Sequence, residues 1–358
     1  MRLEAGITRP PNLQRVVQQS ACAPLFCFRM CLVKPLMKET RLLLDPWPAE
    51  YESPFQIDEL DEDGQPNVDI TVEGGAWPAM EPRAQVRPEP IHFVDGVRRV
   101  EARIIVDDNS GRIIRGLFGS AAVGAVRVAH HQARFEQIRV MRYLVTGSGV
   151  SLETEALRVG NTELIFEPYS VTDSGPPAPL FGLQYRMRIE ETAVAESLSS
   201  ESACVFADGP LAFFTTFNRS TVGIIKRLFK SYLPPRSFTL VAQLRVGQRT
   251  PVFAITDSNY DRYSWYLRVG TPRVMDHEVA GVLRLEVRGG VGVARAVELA
   301  DLSAGCIPTF ASNSFRDPRS PQNLLPVGSL EQELRHRLGD ALAIRRAIEL
   351  KLFKMSSQ

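Results

Sequence analysis

The sequence predicts an α/β or α+β domain organised around a central sheet. Three observations carry this expectation. Strand-like, β-branched runs dominate from Ile91 to Val171. A helix-length stripe follows and leads into a short buried run, Ser202–Ala207. Further strand signals and two helical stretches close the chain.

Taken in order, Ile91–Asp95 is a short apolar strand and Val97–Val106 alternates as a neighbour would. Ile113–Leu117, Ala122–Val128, Arg139–Val145 and Glu163–Val171 continue the pattern. Ser174-Gly175-Pro176-Pro177 is a strong breaker. After it Leu180–Ser199 reads as a helix, with Met187, Val194 and Leu198 on one apolar stripe. Ser202–Ala207 ends at Asp208-Gly209-Pro210, and Val252–Ile255, Ser264–Val269 and Val282–Val287 are strands again. Gly292–Ser303 and Ser329–Lys354 are expected to be helical, and no internal repeat is visible.

Composition bounds the function classes. At 358 residues, 44% hydrophobic and 23% charged, the chain is an ordinary globular one, not collagen-like, disulfide-stapled or wholly disordered. No uninterrupted apolar run of about 18 residues is present, so no membrane span is expected. Five cysteines in no framework spacing point to a reducing, cytoplasmic setting. Cys22, Cys27 and Cys31 crowd together but lack a nearby fourth ligand for zinc.

Charge divides the chain. Residues 1–36 read as a leader outside the folded unit, with Met37 as a normal start. The acidic, Pro-rich segment 37–90 is expected to wrap the surface as irregular chain or short strands; residues 41–90 carry twelve acidic and three basic residues. The main domain is then 91–358. Between Asp208 and Asp257 no acidic residue occurs, while Arg219, Lys226, Arg227, Lys230, Arg236, Arg245 and Arg249 do, interleaved with aromatics. Such a tract suits either phosphate binding or a strand–helix segment with buried rings.

Three acids stand out by context. Asp95 and Asp208 each end an apolar strand, each followed by glycine. Glu191 lies on the buried stripe of the intervening helix, about 40° from Met187 at 100° per residue. Carboxylates converging from two strand ends and a helix suit a hard divalent cation such as Mg²⁺ or Mn²⁺ and phosphodiester hydrolysis. The plainer reading takes each Asp-Gly as a turn signal and Glu191 as a surface pair. Lys226, at the end of Val222–Ile225, lies beside this pocket if that run pairs with the strand ending at Asp208. No P-loop, dinucleotide fingerprint, HExxH or GxSxG motif occurs.

Phe93-Val94-Asp95-Gly96-Val97-Arg98, then Phe206-Ala207-Asp208-Gly209-Pro210-Leu211, then Val222-Gly223-Ile224-Ile225-Lys226 resembles the NurA nuclease family in motif, order and spacing. The resemblance spans about Ile91 to the C-terminal helix. It implies an RNase H-like mixed central β-sheet flanked by helices and a Mn²⁺-dependent (or Mg²⁺-dependent) deoxyribonuclease. It also implies a homodimer working with a HerA-like hexameric ATPase on DNA double-strand ends. Asp95, Glu191 and Asp208 match the metal-site carboxylates, with Lys226 as a further catalytic residue. The family also carries a histidine in its C-terminal helical region, for which His336 or Asp317 stands in here. The alternative is a catalytically inactive RNase H-like module that binds DNA or acts as an ATPase adaptor.

Overall fold

A computed structural model describes residues 41–44, 66–83, 88–107, 111–200, 203–215, 221–228, 230–257, 260–273, 276–313, 315 and 317–357. The three N-terminal cysteines, the leader and much of the acidic segment lie outside the described residues. In chain order the strands and α-helices are β1 (Arg41–Leu44), β2 (Asn67–Asp69), β3 (Ile91–Asp107), β4 (Ile114–Ala129), β5 (Gln132–Thr146), β6 (Glu155–Val159) and β7 (Thr162–Ser170). They continue as α1 (Ala178–Leu198), β8 (Cys204–Asp208), β9 (Thr221–Ile225), α2 (Pro235–Gln243), β10 (Phe253–Thr256), β11 (Arg262–Arg268) and β12 (Val282–Arg288). Three helices follow: α3 (Val293–Cys306), α4 (Leu325–Arg337) and α5 (Ala341–Ser356).

The strands join in one mixed sheet, in the order β2-β10-β11-β12-β9-β8-β3-β4-β5-β7-β6, with β1 on β3. Its centre is β5-β4-β3-β8-β9. There β3, β4 and β5 form an antiparallel meander, while β8 runs parallel to β3 and β9 parallel to β8. This is the mixed central sheet, flanked by helices, that the sequence leads one to expect. His130 and His131 make the two-residue turn between β4 and β5, both with positive φ (50° and 60°), as a type I′ hairpin requires.

Period-two alternation sorts the side chains of β3 and β8 onto two faces. Ile91, Phe93, Val97, Cys204 and Phe206 pack with Val327, Leu330 and Leu334 of α4 and with α3. Val94, Val205 and Ala207 pack on the other face with Leu183, Met187 and Val194 of α1. The Phe93 ring stacks on Phe206 at 5.5 Å and meets Phe310 edge-on at 4.9 Å, which fixes the two strands just before their aspartates.

Several elements differ from expectation, among them Ile113–Leu117 and Ala122–Val128, which are one strand, β4. The strands expected at Ile91–Asp95 and Val97–Val106 are one continuous strand, because Gly96 keeps its place in the ladder opposite Val123. The single helix expected over Ser329–Lys354 is two. Gly339 turns left-handed at φ 82°, and the Asp340 side chain accepts from the Ala343 N–H at 3.0 Å to start α5. Among the described residues no helix is long and apolar enough to cross a membrane.

The described parts of the acidic segment are built into the sheet. β1 pairs with β3 and β2 with β10. Glu73 reaches the buried Arg249, which also holds Asp301 of α3. Arg249 had counted toward a basic tract; it is fully buried, with its charge matched inside the fold.

Candidate metal centre

Parallel pairing builds the site. The register Phe93↔Phe206, Val94↔Ala207 makes Asp95 and Asp208 the next residues of adjacent strands. By alternation both follow the Phe93/Phe206 face, the side covered by α4. Glu331 of α4 completes the set: one carboxylate oxygen from each of Asp95, Asp208 and Glu331 lies within 4.8 Å of the others.

Asp95 is 4% exposed. Its Oδ1 accepts from the Gly96 N–H at 2.8 Å, and its Oδ2 is buried without a hydrogen-bond partner. An orphaned, buried carboxylate oxygen costs free energy unless a cation meets it. Burial raises the Asp95 pKa well above the usual carboxylate range; Asp208 raises it further, Lys226 opposes, and Glu191 and Glu331 add to the rise. Three oxygen donors, one of them unpaired, are the donor chemistry of Mg²⁺ or Mn²⁺, so these residues fit such an ion.

Lys226 enters through β9. Asp208 pairs with Ile224, so the chain leaving Ile225 passes the Asp208 carboxylate, and Nζ donates to Asp208 Oδ2 at 2.8 Å. Burial works against the ammonium, but Asp208 and Asp95 outweigh it and raise the Lys226 pKa. Its second bond, 2.7 Å, goes to Oδ1 of Asn323, which is 1% exposed. Asn323 Nδ2 in turn donates to Asp317 Oδ2 at 2.6 Å. Asp317 is gripped by Arg319, and Arg319 grips Glu331 with bonds of 3.0 and 2.7 Å. Burial pushes the Asp317 carboxyl up, and hydrogen bonds from Arg319 and Asn323 overcome it and bring it down to about 2. Glu331, Arg319, Asp317, Asn323, Lys226 and Asp208 thus form a chain of hydrogen bonds around the trio. Asn323→Ala is expected to cost about 1–3 kcal/mol by stranding partners of two charged groups, measured by thermal unfolding of metal-free protein.

Glu191 stands outside the trio, and the reason is topological. It rides on α1, across the sheet from α4. There it accepts from Arg188 Nη1 at 2.9 and 3.1 Å, and the same nitrogen donates to the Asp208 carbonyl at 2.7 Å. Gly209 lets that guanidinium close in: its φ is +101°, and a Cβ there would sit 2.9 Å from Arg188 Nη2. His336 is exposed in the last turn of α4, and Asp317 is held in the hydrogen-bond chain. Neither is in the trio. Glu331 is the acid the sequence reading missed, yet the stripe test used for Glu191 finds it, about 40° from the buried Val327 on α4.

The aromatics of the acid-free tract are largely structural. Phe214 and Tyr232 are buried, and the Tyr232 ring lies under Arg284 at 4.8 Å and Arg262 at 5.5 Å. Phe217, Arg219 and Phe229 lie outside the described residues.

No family model matches the chain, and no curated protein matches it. Among solved structures it is similar to the crystal structure of the NurA nuclease from Sulfolobus solfataricus. Identity is 12%, the TM-score is 0.43, and the match covers 78% of this chain and 88% of that one. At that distance any functional reading stands on the side chains.

Proposed function

We propose that this protein is a divalent-metal-dependent nuclease acting on DNA, with Asp95, Asp208 and Glu331 holding Mn²⁺ or Mg²⁺. The observation that carries the reading is the buried, unpartnered Asp95 Oδ2 in β3, grouped with the Asp208 carboxylate at the end of the parallel strand β8 and the Glu331 carboxylate of α4. A bound cation supplies Lewis acidity and charge neutralisation for phosphodiester hydrolysis. The chain's own residues do the rest. Asp95 and Asp208 are fixed by the sheet, so their oxygens need no reorganisation. Arg188 holds the Asp208 backbone, and Glu191 holds Arg188, which gives Glu191 a positioning part from across the sheet. Lys226 brings a fixed positive charge next to the reacting phosphate, where it offsets charge developing on the oxygens.

Lys226→Ala is expected to cut single-turnover cleavage by about tenfold to a hundredfold, roughly 1.4–2.7 kcal/mol. DNA affinity should fall only modestly, with the salt slope reduced by about one counterion. A wild-type cleavage rate under saturating protein removes the catalytic role.

The resemblance of the three motifs to the NurA family implies a homodimer and a HerA-like hexameric ATPase partner at DNA ends, and the cysteine usage implies a cytoplasmic setting; co-sedimentation with such a ring tests the partnership. The nuclease reading itself is tested on labelled linear DNA with Mn²⁺ against EDTA. Cleavage that needs the metal supports it. Salt-sensitive binding without cleavage in either condition points instead to an inactive DNA-binding module.

A further inference from the structure

Arg319 sits in the chain between α3 and α4, at the rim of the carboxylate trio. Its guanidinium is shared by two acids. Nη1 and Nη2 donate to Glu331 at 3.0 and 2.7 Å, while Nε and Nη2 donate to Asp317 at 3.2 and 3.1 Å. The Arg319 side chain is 52% exposed, whereas Glu331 and Asp317 keep 13% and 14%. The fork is therefore the solvent-facing part of a sheltered cluster. Lys226, the cation across the cluster, is 18% exposed and fixed between Asp208 and Asn323.

One acid under the fork, Glu331, is also one of the three carboxylates that meet within 4.8 Å. The same carboxylate thus faces two kinds of cation, the guanidinium and the divalent ion of the trio. Resting on the nuclease reading above, we propose that Arg319 is the substrate-phosphate clamp of this site. Its fork leaves Glu331 for a phosphate of the bound strand, and Glu331 is thereby released to join Asp95 and Asp208 around the metal.

The exchange conserves charge pairing: phosphate replaces Glu331 on the guanidinium, and the metal replaces the guanidinium on Glu331. A planar fork of N–H donors fits phosphate as well as carboxylate. Asp317 supplies the hinge. It also accepts from the Arg319 backbone N–H at 2.8 Å and is itself pinned by Asn323, so the base of the arm is tethered while its half-exposed tip is held only by the two acids.

A rigid clamp that only orients Glu331 gives the opposite sign in a metal titration. Mn²⁺ alone is titrated calorimetrically into full-length, metal-free wild type, Arg319→Ala and Arg319→Lys. Binding of a labelled duplex is then followed across a salt series in Ca²⁺. Arg319→Ala should bind Mn²⁺ about tenfold more tightly, the size of effect neighbouring groups have at metal sites. Its DNA affinity should fall, with the salt slope smaller by about one. Arg319→Lys should keep the salt slope, since the charge remains. Weaker Mn²⁺ binding in Arg319→Ala, or an unchanged salt slope, overturns the clamp while leaving the nuclease reading standing. Wild-type protein that takes up no Mn²⁺ overturns both.

Discussion

Asp95→Asn is expected to abolish cleavage, by about a thousandfold or more, equivalent to roughly 4 kcal/mol of transition-state stabilisation. The metal-free variant should nonetheless melt at the wild-type temperature or above it. The cause is the same orphaned oxygen. Asp95 is buried beside Asp208, with Glu191 and Glu331 adding to the repulsion, and folding raises its pKa well above the ordinary value. A carboxyl whose pKa is raised on folding lends stability that is complete below its unfolded value of about 3.9 and is lost as pH climbs through the raised one. Metal-free wild type should therefore lose stability as pH rises above about 4, and the Asn variant should show a flatter profile. Added Mn²⁺ should restore the wild type at neutral pH and leave the variant unchanged. Clear destabilisation of the metal-free variant marks Asp95 as a structural residue of β3 instead.

The largest stability effect belongs to Arg249. It is fully buried and holds Glu73 with bonds of 2.8 and 2.7 Å and Asp301 at 2.8 Å. Glu73 also accepts from the Val252 N–H at 2.5 Å, so the acid has no other cation to turn to among these contacts. Arg249→Met strands the Glu73 carboxylate and leaves Asp301 only the exposed Arg83, 3.7 Å away, which should cost about 3–5 kcal/mol. For a chain of this size that is a fall of roughly 10 °C in Tm. Adding Glu73→Gln and Asp301→Asn should recover most of the loss, because the uncompensated charges go with the cation. Urea unfolding of the single and triple variants separates this from simple loss of packing. A single variant as stable as wild type shows that the network contributes nothing.

What the sequence discloses and what it hides follow from chain distance. Asp95 and Asp208 are legible because each ends an apolar run and meets glycine, and both signals are local. Parallel pairing of those runs then sets them side by side. Glu191 and Glu331 satisfy the same helical-stripe test, but a stripe shows only that a residue faces the sheet. Which face the helix covers is decided by topology, and α1 and α4 cover opposite ones. Arg249 was counted with an exposed tract since its partners are 176 and 52 residues away in the chain. The break between α4 and α5 was present in Gly339-Asp340, a left-handed stop followed by a cap, and the continuing apolar pattern masked it.

The sharpest test compares two glutamates on opposite faces of one sheet. Single-turnover cleavage of labelled linear DNA in Mn²⁺ is measured for Glu331→Gln and Glu191→Gln, with the far-ultraviolet spectrum confirming that both are folded. Glu331→Gln is expected to lose at least about a hundredfold in rate, near 2.7 kcal/mol, with Mn²⁺ binding weakened. Glu191→Gln should keep Mn²⁺ affinity and lose no more than about tenfold, through Arg188 and the Asp208 backbone. Full activity in Glu331→Gln together with lost metal binding in Glu191→Gln would contradict a centre built from Asp95, Asp208 and Glu331.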